Sequence, residues 1–235
     1  MVIKENDLIN FISCPIKYMI YKNNKVNEKN TYNSLLHEIY NWTINDCFFN
    51  GLEELDARIK KKWDKICIEN QDIINNKKVI EGWGLLYKVY EYLRNNKTEI
   101  LDVNIPYNIE IEETGHALTG QIDMIALYGD NIEILIPSFS KTMPESYYID
   151  FNIKHTIDAY VIKQLYNKDT FITYHNFYWN KNKYTLRNKK DFNRLKKIIN
   201  NIGYCMENNI LYPHSGYHCS SCLARGICSE WGKEE

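Results

Sequence analysis

Apolar residues in the first part of the chain recur at helical spacing. Leu8, Phe11 and Ile12 follow the acidic residues Glu5 and Asp7, which predicts a capped first helix, and Cys14-Pro15 predicts a break before a new helical segment. The polar residues 22–33 read as a loop. Leu36, Ile39 and Tyr40 predict a helix that starts near Tyr32 and carries His37. Leu52, Leu55, Ile59, Trp63 and Ile66, then Ile80, Trp83, Leu86, Val89, Tyr90 and Leu93, predict two or three further helices, closed by Asn95-Asn96-Lys97.

The pattern then changes to alternation. Residues 100–111 read as a strand broken near Pro106, 117–127 as a second strand and 132–139 as a third, with turns at Glu113-Thr114-Gly115 and at 128–131. This meander carries Gly120-Gln121-Ile122-Asp123 and then Ile134-Leu135-Ile136-Pro137-Ser138-Phe139-Ser140. Residues 150–166 read as a helix, 170–179 and 184–186 as a hairpin, and Phe192, Leu195, Ile198 and Ile199 as a last amphipathic helix running toward Cys205. The tail after it is loop-like.

Composition narrows the reading. A chain of 235 residues with 44% apolar content predicts one domain with a substantial core, and its 19 tyrosines and 5 tryptophans fill cores by default. A net charge of −1 gives no overall field toward nucleic acid, so any such contact needs a local patch. Arg187-Asn188-Lys189-Lys190 with Arg194, Lys196 and Lys197 offers either that patch or a solvated helix face. Residues 1–10 do not read as a signal peptide, and no apolar run approaches the roughly 18 residues a membrane span needs. A cytoplasmic, reducing compartment is the expectation, and the 7 cysteines then do not read as a disulfide framework.

Cys219-x2-Cys222-x5-Cys228 places three thiolates in one short loop, a soft donor set for an iron–sulfur cluster or for zinc. Cys14 is the best fourth ligand and would join the tail, 205–235, to the first helices. His214 or His218 could complete a local zinc knuckle instead, and spacing leaves the choice open. Cys47, Cys67 and Cys205 read as core residues.

Taken in order, Asp7-Leu8-Ile9-Asn10-x3-Cys14-Pro15, Leu36-His37, Gly120-Gln121-Ile122-Asp123, Tyr160 and the cysteine trio give the chain a resemblance. It resembles the RecB-like branch of the PD-(D/E)XK nucleases over nearly its whole length. The nearest likeness is to the iron–sulfur subgroup of CRISPR-adaptation exonucleases and AddB-type subunits. The resemblance implies an α/β fold, a restriction-endonuclease-like mixed sheet core flanked by helices, with 32–97 as a helical insertion or lid. It implies that His37 and Asp123 ligate a divalent ion, that Cys14, Cys219, Cys222 and Cys228 hold a 4Fe-4S cluster, and that Tyr160 faces the DNA and the active site from a Gln-x3-Tyr helix, in which Thr156 replaces the glutamine.

The third strand departs from the family. An acid and a lysine, two residues apart and so on one face, would be expected after the hydrophobic run. Ser138 and Ser140 stand there instead. Neither hydroxyl supplies the charge that a Mg²⁺ or Mn²⁺ site and a phosphorane need. If the strand is regular, Glu133 and Lys141 point away from this face. A bulge at Pro137 could bring Lys141 back, and Glu110 could reach in from the first strand. The expectation is a catalytically impaired nuclease-like iron–sulfur protein that binds DNA or serves as a subunit with protein partners. The alternatives are an active Mg- or Mn-dependent DNA exonuclease with an atypical site, and a purely structural subunit of a larger assembly.

Overall fold

The structure, a computed structural model, describes residues 1–23, 30–95, 99–220, 222–228 and 230. Its elements run β1 (Val2–Lys4), α1 (Glu5–Ser13), α2 (Pro15–Asn23), α3 (Tyr32–Asn50), α4 (Leu55–Glu69), α5 (Asn76–Asn95), β2 (Glu99–Ile111), β3 (His116–Tyr128), β4 (Asn131–Ser138), α6 (Ser146–Asp150), α7 (Ile153–Tyr166), β5 (Thr170–Asn176), β6 (Lys181–Leu186) and α8 (Lys189–Glu207). Six strands form a mixed sheet flanked by helices. β3 takes β1 in parallel (Val2↔Ala117), pairs with β2, and meets β4 antiparallel near their turn (Ala126↔Glu133). β4 runs parallel to β5 from Ile132↔Thr170 to Ser138↔Asn176, and β5 forms a hairpin with β6. Part of the loop expected over 22–33 and the turn at 96–97 lie outside the described residues. Among the described residues, no helix is long and apolar enough to cross a membrane.

The chain divides into two compact units: residues 1–29, 106–120 and 188–235, and residues 30–105 and 121–187. In the first, Glu5 and Asp7 lie in the opening turn of α1, where carboxylates favour the helix dipole, and Leu8 and Phe11 are buried. α1 stops at Cys14, whose extended backbone (φ −166°, ψ 117°) leads into Pro15 at the first position of α2. Buried Glu5 accepts a 2.7 Å hydrogen bond from the Tyr107 hydroxyl. That pair lies against Gly120, where an added Cβ would collide with both groups. The glycine that opens the Gly-Gln-Ile-Asp motif is therefore a packing requirement. α8 starts from a capping box of Asn188 and Asp191, and Leu195, Ile199 and Gly203 line its buried face.

In the second unit, a Thr31–Ser34 capping box opens α3, and Gly51 (φ 75°) ends it. Leu36, Ile39 and Ile44 pack with Ile59 and Trp63 of α4, with Leu86 and Val89 of α5, and with Met124, Leu135, Phe139 and Phe177. Residues of the segment 32–97, expected as a helical insertion or lid, supply much of this core. Trp63 packs directly against Gly82, which puts Gly82 on the buried stripe of α5 with Leu85, Leu86, Val89 and Leu93. Ile80, expected on that stripe, is 76% exposed. β2 continues through Pro106 and does not break there; among the described residues it pairs with β3 only, and an edge strand tolerates the missing N–H. Its irregular residue is Asn104 (φ 52°). The helix expected over 150–166 starts three residues later, at Ile153, because Asn152 accepts from the His155 N–H and caps α7; the short α6 precedes it. Residues 155–162 of α7 are all buried, and Asn167 closes it in the left-handed conformation.

Candidate functional site

A cavity of ≈210 Å³ opens in the second unit, lined by His37 and Tyr40 of α3, Asp123 of β3, Leu135, Ile136 and Pro137 of β4, and Lys154, His155 and Asp158 of α7. His37 and Asp123, predicted as metal ligands, thus share one cavity, and both are exposed to it at the surface. Protein packed around His37 lowers its affinity for a proton, against an opposing pull from the Asp123 carboxylate. The His37 ring also meets Phe139 edge-on, at 5.3 Å between centroids. Tyr40 is buried, and burial first, then Tyr92, Asp123 and Glu133, holds its hydroxyl protonated far above the ordinary tyrosine range.

α7 contributes groups to which sequence reasoning gave no role. The Lys154 ammonium bonds Asp158 Oδ1 at 2.6 Å and the Gln121 carbonyl at 3.3 Å, and the Asp158 side chain is 3% exposed. His155 is buried and held neutral, its pKa pushed down to about 4 by burial and then by the Arg187 and Lys154 charges. The signal was present as Lys154-x3-Asp158, but an i,i+4 ion pair is common on solvated helix faces.

The substituted positions are occupied locally. Buried Ser138 Oγ accepts from Asn176 Nδ2 and from the Ser140 N–H, each at 3.4 Å. Ser140 Oγ lies 2.9 Å from Thr142 Oγ1. Neither serine lines the cavity. Lys141 Nζ sits 3.5 Å from Glu81 and over the Tyr178 ring, so it has not migrated inward. Glu133 is buried, Glu110 is exposed on β2, and neither lines the cavity. The regular alternation expected of 133–141 does not extend to Phe139, which lies beyond β4 and packs on His37, Tyr40 and Phe177. Tyr160 is 2% exposed and is not among the lining residues. Thr156 accepts a 2.9 Å hydrogen bond from Arg187 Nε and donates to the Asn152 carbonyl, which gives the residue in the glutamine position a structural role.

In the first unit, Cys14, Cys219, Cys222 and Cys228 line one small cavity with Lys17, Ile20 and Arg225. None of the four is joined in a disulfide. The tail reaches Cys14 through His214, whose Nδ1 is 3.0 Å from the Ser13 carbonyl, while the His218 ring is held by the His214 carbonyl at 2.7 Å. Among the described residues, no three His, Cys, Asp or Glu side chains are grouped closely enough to hold a single metal ion. Of the other cysteines, Cys67 is buried, whereas Cys47 and Cys205 are only partly so.

The basic patch expected after the hairpin is smaller than its sequence. Arg187 is buried and donates to Thr156, to Thr185 and to the Ile149 carbonyl. Arg194 pairs with Asp191, and Lys196 with Glu112. Lys189, Lys190 and Lys197 remain exposed. A further cavity, ≈440 Å³, is lined by Lys88, Tyr92, His175 and others with one carboxylate, Glu91, so size does not single out the chemical site.

No family model and no curated protein matches the sequence. Among solved structures the fold is similar to the crystal structure of an exonuclease candidate from Eubacterium rectale, with a TM-score of 0.58 and 12% identity over 93% of this chain and 86% of that chain. SSO0001 matches with a TM-score of 0.44 and 12% identity over 99% of this chain and 87% of that one, a likeness that carries no argument here. The chain has a nuclease-like fold.

Proposed function

We propose that this chain is a nuclease-like iron–sulfur protein of the RecB-like kind whose fourth strand no longer supplies catalysis, and that it works as a nucleic-acid-binding subunit. One observation carries the reading. On a nuclease-like fold, Ser138 at the end of β4 and Ser140 just beyond it stand where the resemblance expects an acid and a lysine, and both are taken up in local hydrogen bonds. Hydrolysis of a phosphodiester needs charge at those positions, both to hold the metal and to stabilise the developing phosphorane. Exposed Tyr147, Tyr148 and Phe151, just ahead of α7, offer ring faces of the kind that stack on unpaired bases.

The cysteine cavity suits a thiolate-bound centre, which this reading takes to be a cluster: Cys14, from the junction of α1 and α2, and three cysteines of the tail line it together. When bound, the cluster would tie the tail to Cys14; no redox step is required of it. The test is restoration. Ser138→Asp with Ser140→Lys should give Mn²⁺-dependent DNA cleavage that the unaltered chain lacks. Cleavage by the unaltered chain, abolished by Asp123→Ala, would overturn the reading.

A further inference from the structure

We infer that the cavity between α5 and the β5–β6 hairpin is a pocket for a single unpaired nucleobase, with His175 at its floor. The inference deepens the nucleic-acid reading and rests on it for the choice of a base over other planar polar ligands. The cavity, ≈440 Å³, is of the size that small-ligand pockets have, and it shares no lining residue with the one Asp123 lines. Its walls come from one helix and one hairpin of a single compact unit. Lys88, Glu91, Tyr92 and Asn95 lie at i, i+3, i+4 and i+7 and so form one stripe of α5. The other wall is the hairpin. His175 of β5 is paired with Asn182 of β6, so their side chains share a face, and Asn180 closes the turn in the left-handed conformation (φ 51°).

His175 is the residue that points to a ligand. It is 3% exposed, and neither ring nitrogen has a hydrogen-bond partner among the described residues. A buried polar group left unpaired costs stability, so an imidazole with both nitrogens unpaired on a cavity wall calls for a partner in the cavity. Burial lowers its affinity for a proton, against the pull of the Asn182 and Asn180 side chains, which keeps the ring neutral at neutral pH. A neutral imidazole offers one donor and one acceptor, and each asparagine amide offers both. Lys88 and Glu91 bring one charge of each sign, and Lys88 Nζ already donates to the Tyr178 carbonyl at 3.0 Å, so the cavity does not select a charged ligand. These groups fit a neutral partner with donors and acceptors side by side on one edge, as a nucleobase has. They also fit a flat one. The Tyr92 and His175 rings meet at 4.5 Å between centroids and at 59°, and half-buried Tyr92 keeps ring surface at the cavity. Tyrosine and histidine rings are of the kind on which splayed-out bases stack.

The experiment titrates the isotope-labelled full chain with each of the four deoxynucleosides, which carry a base and no phosphate. The His175 ring nitrogens, assigned through the backbone, are followed by nuclear magnetic resonance. At least one deoxynucleoside should move both nitrogen signals in a saturable way, while deoxyribose alone leaves them in place. His175→Phe keeps a ring and removes both nitrogens. It should weaken that binding about 10-fold without lowering the melting temperature, because two unpaired polar atoms leave the interior. Asn182→Ala, at an exposed position of the hairpin, should weaken binding several-fold and decides the matter if His175→Phe fails to fold. No movement with any deoxynucleoside, equal movement with deoxyribose, or affinity unchanged in Asn182→Ala overturns the proposal. So does a lowered melting temperature in His175→Phe with binding retained. Single-stranded DNA separates the two readings. DNA that binds without moving the His175 signals sinks the pocket and leaves the nucleic-acid reading standing; deoxynucleosides that bind where DNA does not have the reverse effect.

Discussion

The cysteine cavity and the carboxylate cavity are built differently. The cysteine cavity draws its donors from a tight local spacing and one distant residue at a helix junction, and all four expected positions line it. The carboxylate cavity draws one residue or a few from each of α3, β3, β4 and α7, and β4 brings no charged group to it. Under the proposed reading, the cysteine cavity keeps every thiolate a cluster would need, whereas the carboxylate cavity lacks the acid and lysine that the resemblance expects from β4.

The largest expected effect falls on the cysteine side. Cys14→Ser in anaerobically purified protein should abolish the visible iron–sulfur absorbance and lower the melting temperature by about 10 °C or more, since cofactor binding energy is folding energy. Normal melting with the absorbance lost would break the staple role; visible absorbance that is absent from the unaltered protein, with zinc in its place, would break the cluster assignment.

The carboxylate side should respond to pH. His155 has a folded pKa of about 4 against 6.5 in the unfolded chain, so the unfolded state binds more protons between those values. The stabilisation is complete above pH 6.5, declines as pH falls, and levels off below about 4. Its full size is on the order of 3 kcal/mol. Melting curves at pH 7 and pH 5 should show this slope in the unaltered chain and lose it in His155→Gln; an equal slope in both would contradict it.

Gly120→Ala comes next, because the new Cβ falls on the Tyr107–Glu5 pair. It should cost about 1–3 kcal/mol in denaturant unfolding. A neutral result would return the motif's glycine to a role in ligand approach. The smallest effect belongs to the exposed lysines of α8. Replacing Lys197 by alanine should reduce the salt dependence of DNA binding by about one counterion at most.

Much of this was legible in the sequence, for identifiable reasons. Cys14-Pro15 marks a helix junction because a residue before proline disfavours helical backbone, and α1 and α2 break there. The 3.6-residue period recovered α3 and α8 because each has one buried face. β1 is not legible because its three residues, Val2–Lys4, carry too little alternation. Arg187 read as part of a basic patch because sequence does not show burial; three hydrogen bonds to Thr156, Thr185 and Ile149 hold it inside the fold. Lys154 and Asp158 are not legible as site residues because only the tertiary arrangement of α7 and β3 brings them to the cavity that Asp123 lines.

The most direct test of the central claim combines binding and cleavage in one sample. Anaerobically purified full chain is incubated with end-labelled single- and double-stranded DNA and Mn²⁺, and anisotropy and strand length are followed together. The account predicts salt-sensitive binding to intact DNA. Progressive shortening of the DNA that disappears in Asp123→Ala would contradict it.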